Sequence, residues 1–103
     1  MIRQIISYWK NYKEIYRSGE FVVIFGEYNH LNSKNGSELC IGMYWDHGEL
    51  PSFPNSRGKI SPMVIERTLI EGILNTLAKQ RKQHNQSIKS IEDAAKGFDI
   101  VIS

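Results

Sequence analysis

The chain has 103 residues, 41% hydrophobic and 23% charged, with a formal net charge of +2; that balance suits one folded domain with its own core and excludes a disordered or fibrous chain. No apolar run approaches the roughly 20 residues of a membrane-spanning helix, and residues 1–16, broken by Arg3, Gln4, Ser7, Lys10 and Lys13, lack the apolar centre of a signal peptide. A lone cysteine, Cys40, forms no internal disulfide, so a reducing, cytoplasmic compartment is expected.

Charge is segregated along the chain. Residues 1–17 carry four basic side chains against Glu14, and residues 56–97 carry eight basic against four acidic. Between them, residues 18–55 set Lys34 against Glu20, Glu27, Glu38, Asp46 and Glu49. An acidic middle between basic flanks suits a basic partner.

In chain order, Ile2, Ile5, Ile6, Trp9, Tyr12 and Tyr16 recur at steps of three and four, opposite Arg3, Ser7, Lys10, Glu14 and Arg17. This predicts an amphipathic helix stopped at Gly19, its aromatic stripe packed in the core rather than stacked on bases. Residues 21–25 and 39–45 are apolar, β-branched and aromatic, joined by the polar stretch 29–37 with Asn32, Ser33, Asn35 and Gly36. That is the pattern of a β-hairpin with a long loop. Phe21, Val23 and Phe25 point one way and Val22 and Ile24 the other, so the first strand is expected to be central, covered on both faces. Gly26 near its end predicts a bulge or a close approach. In the second strand Leu39, Ile41, Met43 and Trp45 line one face, with Cys40, Gly42 and Tyr44 on the other. Pro51 and Pro54 exclude a central strand from residues 46–59, and a loop this long is expected to be functional or mobile.

Two readings fit residues 59–65. Ser61-Pro62 is a permitted helix start; alternatively Met63-Val64-Ile65 is a short edge strand and the helix begins at Thr68, with Glu71 completing a capping box. The β-branched Val64 and Ile65 favour the second. Leu69, Ile70, Ile73, Leu74, Leu77 and Ala78 form one helical stripe, with Gly72 expected where the helix backbone nears the sheet. Lys79, Arg81, Lys82 and His84 place cations at its C-terminus. Ser90-Ile91-Glu92-Asp93 opens a short helix that Gly97 closes, and residues 98–102 read as a last, edge strand. The expected fold is α+β: a mainly antiparallel sheet of three to four strands, two main helices packed on it and one short helix.

Candidate chemistry is sparse. Asp46-His47-Gly48-Glu49 is the densest group of ligand-type residues, but neighbours on one loop rarely converge on a metal, so no metal site is expected. His30 and His47 could meet across the open end of the hairpin as an acid/base pair for phosphodiester cleavage. Cys40 sits in an apolar run and reads as a structural thiol. Ser56-Arg57-Gly58-Lys59 lacks the spacing of a phosphate-binding P-loop and reads as a basic corner or an interface contact. Lys79, Arg81 and Lys82 fit helix-end stabilisation better than nucleic-acid contact.

Residues 38–46, Glu-Leu-Cys-Ile-Gly-Met-Tyr-Trp-Asp, followed by residues 53–62, Phe-Pro-Asn-Ser-Arg-Gly-Lys-Ile-Ser-Pro, resemble segments of small bacterial immunity proteins. These are the cytoplasmic antidotes encoded beside polymorphic or contact-dependent growth-inhibition toxins. The resemblance covers about a quarter of the chain and implies a non-enzymatic module that binds and neutralises a cognate toxin domain. It carries over no catalytic residues. The residues expected at the partner are Glu27, Tyr28, Tyr44, Asp46, Glu49, Phe53, Arg57 and Lys59, the carboxylates and aromatics grouped at one end of the hairpin. No cofactor, membrane or small-molecule substrate is expected, and nucleic acid is disfavoured. The alternatives are a small nucleic-acid-associated protein using Arg57, Lys59, Lys79, Arg81 and Lys82, and, third, a hydrolase or nuclease built on His30, His47 and Asp46.

Overall fold

The computed structural model describes residues 4–34, 36–48 and 50–103; Met1, Ile2, Arg3, Asn35 and Glu49 lie outside the described residues. In chain order the strands are β1 (Trp9–Ser18), β2 (Phe21–Tyr28), β3 (Glu38–Trp45), β4 (Asn55–Ser56), β5 (Lys59–Ile60) and β6 (Met63–Val64), followed by helices α1 (Ile70–Gln83) and α2 (Lys89–Gly97). One antiparallel sheet has the order β1-β2-β3-β6, and β4 and β5 form a separate two-stranded ladder. The fold is α+β.

The two apolar runs are the inner strands β2 and β3, paired from Phe21↔Trp45 to Tyr28↔Glu38. Their alternation holds as expected. Val23 and Ile41 lie in the core under α1 and α2, with Ile15, Ile70, Leu74, Leu77, Ala78, Ile91, Ala94 and Ala95. Val22, Ile24, Cys40 and Tyr44 lie in a second core on the opposite face, with Trp9 and Ile60, against which Ile5 and Ile6 pack. Residues 46–60, proline-bearing and unable to join the main sheet, therefore supply much of the cover for that second face.

The first element is a strand, not the amphipathic helix expected over residues 2–17. Asn11 takes φ 50, and the pairing with β2 shifts register between Lys10 and Lys13 and again between Glu14 and Tyr16. These two bulges disrupt the period of two and leave apolar residues at helix-like spacing. Ile15, almost wholly buried, falls outside the helical stripe. Gly19, at φ +58, turns the chain in a two-residue hairpin loop instead of ending a helix. Gly26 is the close approach its position predicts: a Cβ there would lie 2.6 Å from Tyr12 Cβ. The outer edge of β1 is blunted by its bulges and by the Ser90 hydroxyl, which donates to the Ile15 carbonyl at 2.9 Å.

At residues 59–65 the edge-strand alternative holds: β6 pairs Met63 with Met43 and Val64 with Gly42. A 3-10 turn, Arg67–Leu69, leads into α1, and its cap is Glu66, whose carboxylate accepts from the Thr68 N–H at 2.7 Å and from the Thr68 hydroxyl. Those donors hold the Glu66 carboxyl below its ordinary value. Gly72 is not a contact point with the sheet, since a Cβ there would meet nothing within 4 Å.

Residues 98–102 form no strand. Helix α2 ends in a Schellman turn, with Ile100 N–H donating to Ala95 O at 2.9 Å, Asp99 N–H to Lys96 O at 3.2 Å, and Asp99 at φ 57. The turn sends the tail across the helix layer, where Phe98, Ile100 and Ile102 pack on the core and Ser103 N–H donates to Asn75 Oδ1 at 2.9 Å. The alternating apolar residues thus do a strand's packing without its ladder.

Candidate functional site

The antiparallel pairing of β2 and β3 decides which candidate residues meet. Glu27 and Tyr28 close β2 at the end where β3 begins, while Tyr44 and Asp46 lie at the end where β2 begins. Seven residue steps at about 3.4 Å each put these ends roughly 24 Å apart. The expected grouping of Glu27, Tyr28, Tyr44, Asp46 and Phe53 at one end is therefore not formed. The same geometry separates His30, which follows β2, from His47, which follows β3, so no His30–His47 acid/base pair exists. Glu49 lies outside the described residues.

At the Asp46 end the hairpin loop of β1–β2 and the exit of β3 come together. Asp46 N–H donates to the Glu20 carbonyl at 2.7 Å, and His47 Nδ1 lies 2.8 Å from Glu20 Oε2. Asp46 Oδ1 accepts from Gly48 N–H at 3.1 Å, fixing the first turn of the loop. Arg17 lies between two carboxylates, bonded to Glu14 at 2.8 Å and 4.0 Å from Asp46. The hydrogen bond to Glu14 raises the guanidinium above its ordinary value, against the opposing effect of desolvation. Tyr44 lies in the second core, and burial raises its phenol above the ordinary value. It is a packing residue, not an exposed anchor.

Phe53 is held differently. Its backbone exchanges two hydrogen bonds with Trp45, at 2.7 and 3.0 Å, and its ring sits 6.2 Å from the Trp45 ring, which in turn lies 5.1 Å from Phe21. Yet 63% of Phe53 is exposed, as is 67% of Leu50 on the same loop. The loop is therefore pinned to the sheet while presenting two large apolar side chains to solvent. Leu50, Glu20 and His47 were not among the expected site residues; Glu20 becomes legible only once the register placing it beside Asp46 is known.

Arg57 and Lys59 belong elsewhere. They line a cleft with Ile6, Ser7, Tyr8 and Ser56, and Tyr8 leads to the opposite end of the sheet, where its carbonyl accepts from Asn29 N–H at 2.8 Å. There Tyr8, Trp9, Tyr28 and His30 form an aromatic cluster, with Tyr28 Oη 2.8 Å from His30 Nδ1. Burial raises the Tyr28 phenol above its ordinary value. Lys79, Arg81 and Lys82 lie on α1, in the layer over the other face of the sheet, and do not form one basic surface with Arg57 and Lys59. Arg81 instead covers the Tyr16 ring at 5.5 Å. Cys40 is buried in the second core, which raises its thiol above the ordinary value. Among the described residues no three His, Cys, Asp or Glu side chains converge to hold a metal ion.

What the Asp46 end can do chemically is bind: two apolar side chains on a pinned loop, bordered by Glu14, Glu20 and Asp46 with one interposed arginine. No protein-family model, curated protein or solved structure matches this chain.

Proposed function

We propose that this protein is a non-enzymatic binding module, an immunity protein that neutralises a cognate toxin domain with the Asp46 end of its sheet. The observation that carries the proposal is Phe53, mostly exposed yet fixed through its backbone to Trp45. Tight interfaces rest on a few such anchors ringed by polar contacts, and an anchor already held in place costs less ordering on binding. Glu20 and Asp46 beside it suit a basic partner. A toxin that cuts nucleic acid needs a basic cleft for its phosphates, and carboxylates here would compete for that cleft and speed encounter.

The partner to use is the product of the neighbouring reading frame that co-purifies with this chain. Phe53→Ala is expected to weaken binding at least 30-fold, the ratio equivalent to about 2 kcal/mol, while leaving the melting temperature nearly unchanged. Glu20→Lys with Asp46→Lys should slow association, more strongly at low salt. Lys79→Glu with Lys82→Glu, on the opposite face, should leave it unchanged. Equal association rates for the acidic and basic reversals would eliminate this end of the sheet as the interface.

A further inference from the structure

The cleft at the other end of the molecule is independent of that interface. The β4–β5 turn places Arg57 at φ 51 and Gly58 at φ +83, a two-residue turn whose first position ordinarily takes Asn, Asp or Gly. Gly58 N–H donates to Asn55 Oδ1 at 3.2 Å, which closes the turn. A long side chain at positive φ costs free energy that the turn itself does not require. Here it sets a guanidinium at the tip, with Lys59 following on the return strand. The cleft they line, about 180 Å³, adds the hydroxyls of Ser7, Ser56 and Tyr8 and the side chain of Ile6, and no carboxylate. Among the described residues neither Arg57 nor Lys59 forms an ion pair, whereas Arg17 and Arg67 do.

The wall of this cleft is aromatic. Tyr8, half-buried, packs edge-on to Tyr28 with centroids 6.4 Å apart, and lies 6.2 Å from His30. Asn32 Nδ2 donates to Ser7 Oγ at 3.2 Å, tying the loop after β2 to the same wall. A guanidinium fork and an ammonium facing hydroxyls suit a phosphate. An aromatic ring beside such cations is the arrangement on which proteins stack a base while holding its backbone.

We infer that this cleft binds a nucleotide unit, its phosphate between Arg57 and Lys59 and its base against Tyr8, either free or within a single strand. The competing account is a solvated basic corner, which predicts no dependence on Tyr8. Fluorescence anisotropy of the intact protein with a labelled single-stranded 12-mer, beside titrations with a mononucleotide and with inorganic phosphate, distinguishes them. The expected result is salt-dependent binding that Arg57→Glu with Lys59→Glu weakens more than tenfold. That double variant should also reduce the slope of log K against log salt by about 1.4, since each lost strand phosphate contact contributes about 0.7. Tyr8→Leu should lower affinity roughly 5- to 150-fold, the loss expected of one stacked base, without changing the slope. Lys79→Glu with Lys82→Glu should have no effect.

Binding of the mononucleotide with the same variant pattern assigns a free nucleotide, and binding of the strand alone assigns a single-stranded partner. The inference is overturned if neither binds at low salt, if Tyr8→Leu is folded and silent, or if both charge reversals weaken binding equally. Arg57 and Lys59 are exposed, so that variant tests the cleft even if Tyr8→Leu fails to fold. Partner association remains intact in the Arg57/Lys59 variant if the two sites are separate.

Discussion

Adding one methyl group at Gly26 tests the least expected element, β1. A Cβ at this position would lie 2.6 Å from Tyr12 Cβ, 2.7 Å from Tyr12 Cα and 3.2 Å from the Lys10 carbonyl oxygen. The obstacle is the bulged backbone of β1 and the root of a side chain, not a flexible tip, so relief requires the bulge itself to move. Overpacking of this kind costs about 1–3 kcal/mol, and an immovable neighbour puts Gly26→Ala near the upper figure. Alanine also restricts the unfolded chain, which returns about 0.4–1 kcal/mol. The net expectation is a loss of about 2 kcal/mol, a large share of the 5–15 kcal/mol that holds a typical domain. Gly72→Ala supplies the opposite sign: its added Cβ meets nothing within 4 Å, and the helix gains about 0.5–1 kcal/mol. Urea denaturation of both variants measures the pair. If Gly26→Ala loses under 0.5 kcal/mol, β1 does not cross β2 at Tyr12. Had residues 2–17 been a helix, no such contact would arise.

Leu77→Ala should cost about 2–5 kcal/mol, because Leu77 is buried between α1 and the sheet; a loss under 0.5 kcal/mol in chemical denaturation would place that helix face in water. Burial raises Tyr44 above its ordinary 10.0 and Cys40 above its ordinary 9.0, so the folded chain keeps protons that the unfolded chain releases. Their stabilisation is full below those ordinary values and is lost as pH rises through the folded ones, by up to about 1.4 kcal/mol per pH unit for each group. Tyr44→Phe should flatten this alkaline decline in denaturation midpoints, and an unchanged decline would mean that Tyr44 does not contribute. Leu31 is 64% exposed at φ 56; Leu31→Asn should raise stability by about 0.5–1 kcal/mol by relieving left-handed strain, and a lower melting temperature would show that the leucine packs.

The inner strands and α1 were legible because each obeys one period without interruption. Val22–Ile24 and Val23–Phe25 alternate through β2, and Ile70, Leu74, Leu77 and Ala78 keep a helical step. Where two influences compete, the pattern misleads. In β1 the bulges at Asn11 and Glu14 shift the register, and the resulting spacing imitates a helix; Ile15, apolar but off the stripe, was the available warning. The 98–102 tail alternates like a strand because Ile100 and Ile102 pack on helices, a role that needs no partner strand. At the candidate site the acidic character of Asp46 and the aromatic Phe53 were visible from composition. Their separation from Glu27 and Tyr28 was not, because it depends on which ends of an antiparallel pair coincide. Arg57 and Lys59 were visible as charges, but their meeting with Tyr8 across fifty residues follows only from the fold.

The bond from Ser90 to the Ile15 carbonyl joins the first strand to the last helix, and this has a consequence for synthesis. Strands β1 to β3 leave the ribosome first and can pair at once, since short loops connect neighbours. Their helix-side face, with Val23 and Ile41, has no cover until residues 70–95 are made. At about 5–20 residues per second, the interval between residue 45 and residue 95 is roughly 3–10 s. For that time a nascent sheet carries bare apolar surface, and the Ile15 carbonyl at its rim has no hydroxyl to accept. The bulges of β1 are local and form with the hairpin itself, so they guard that rim against pairing with another chain before the final helix arrives.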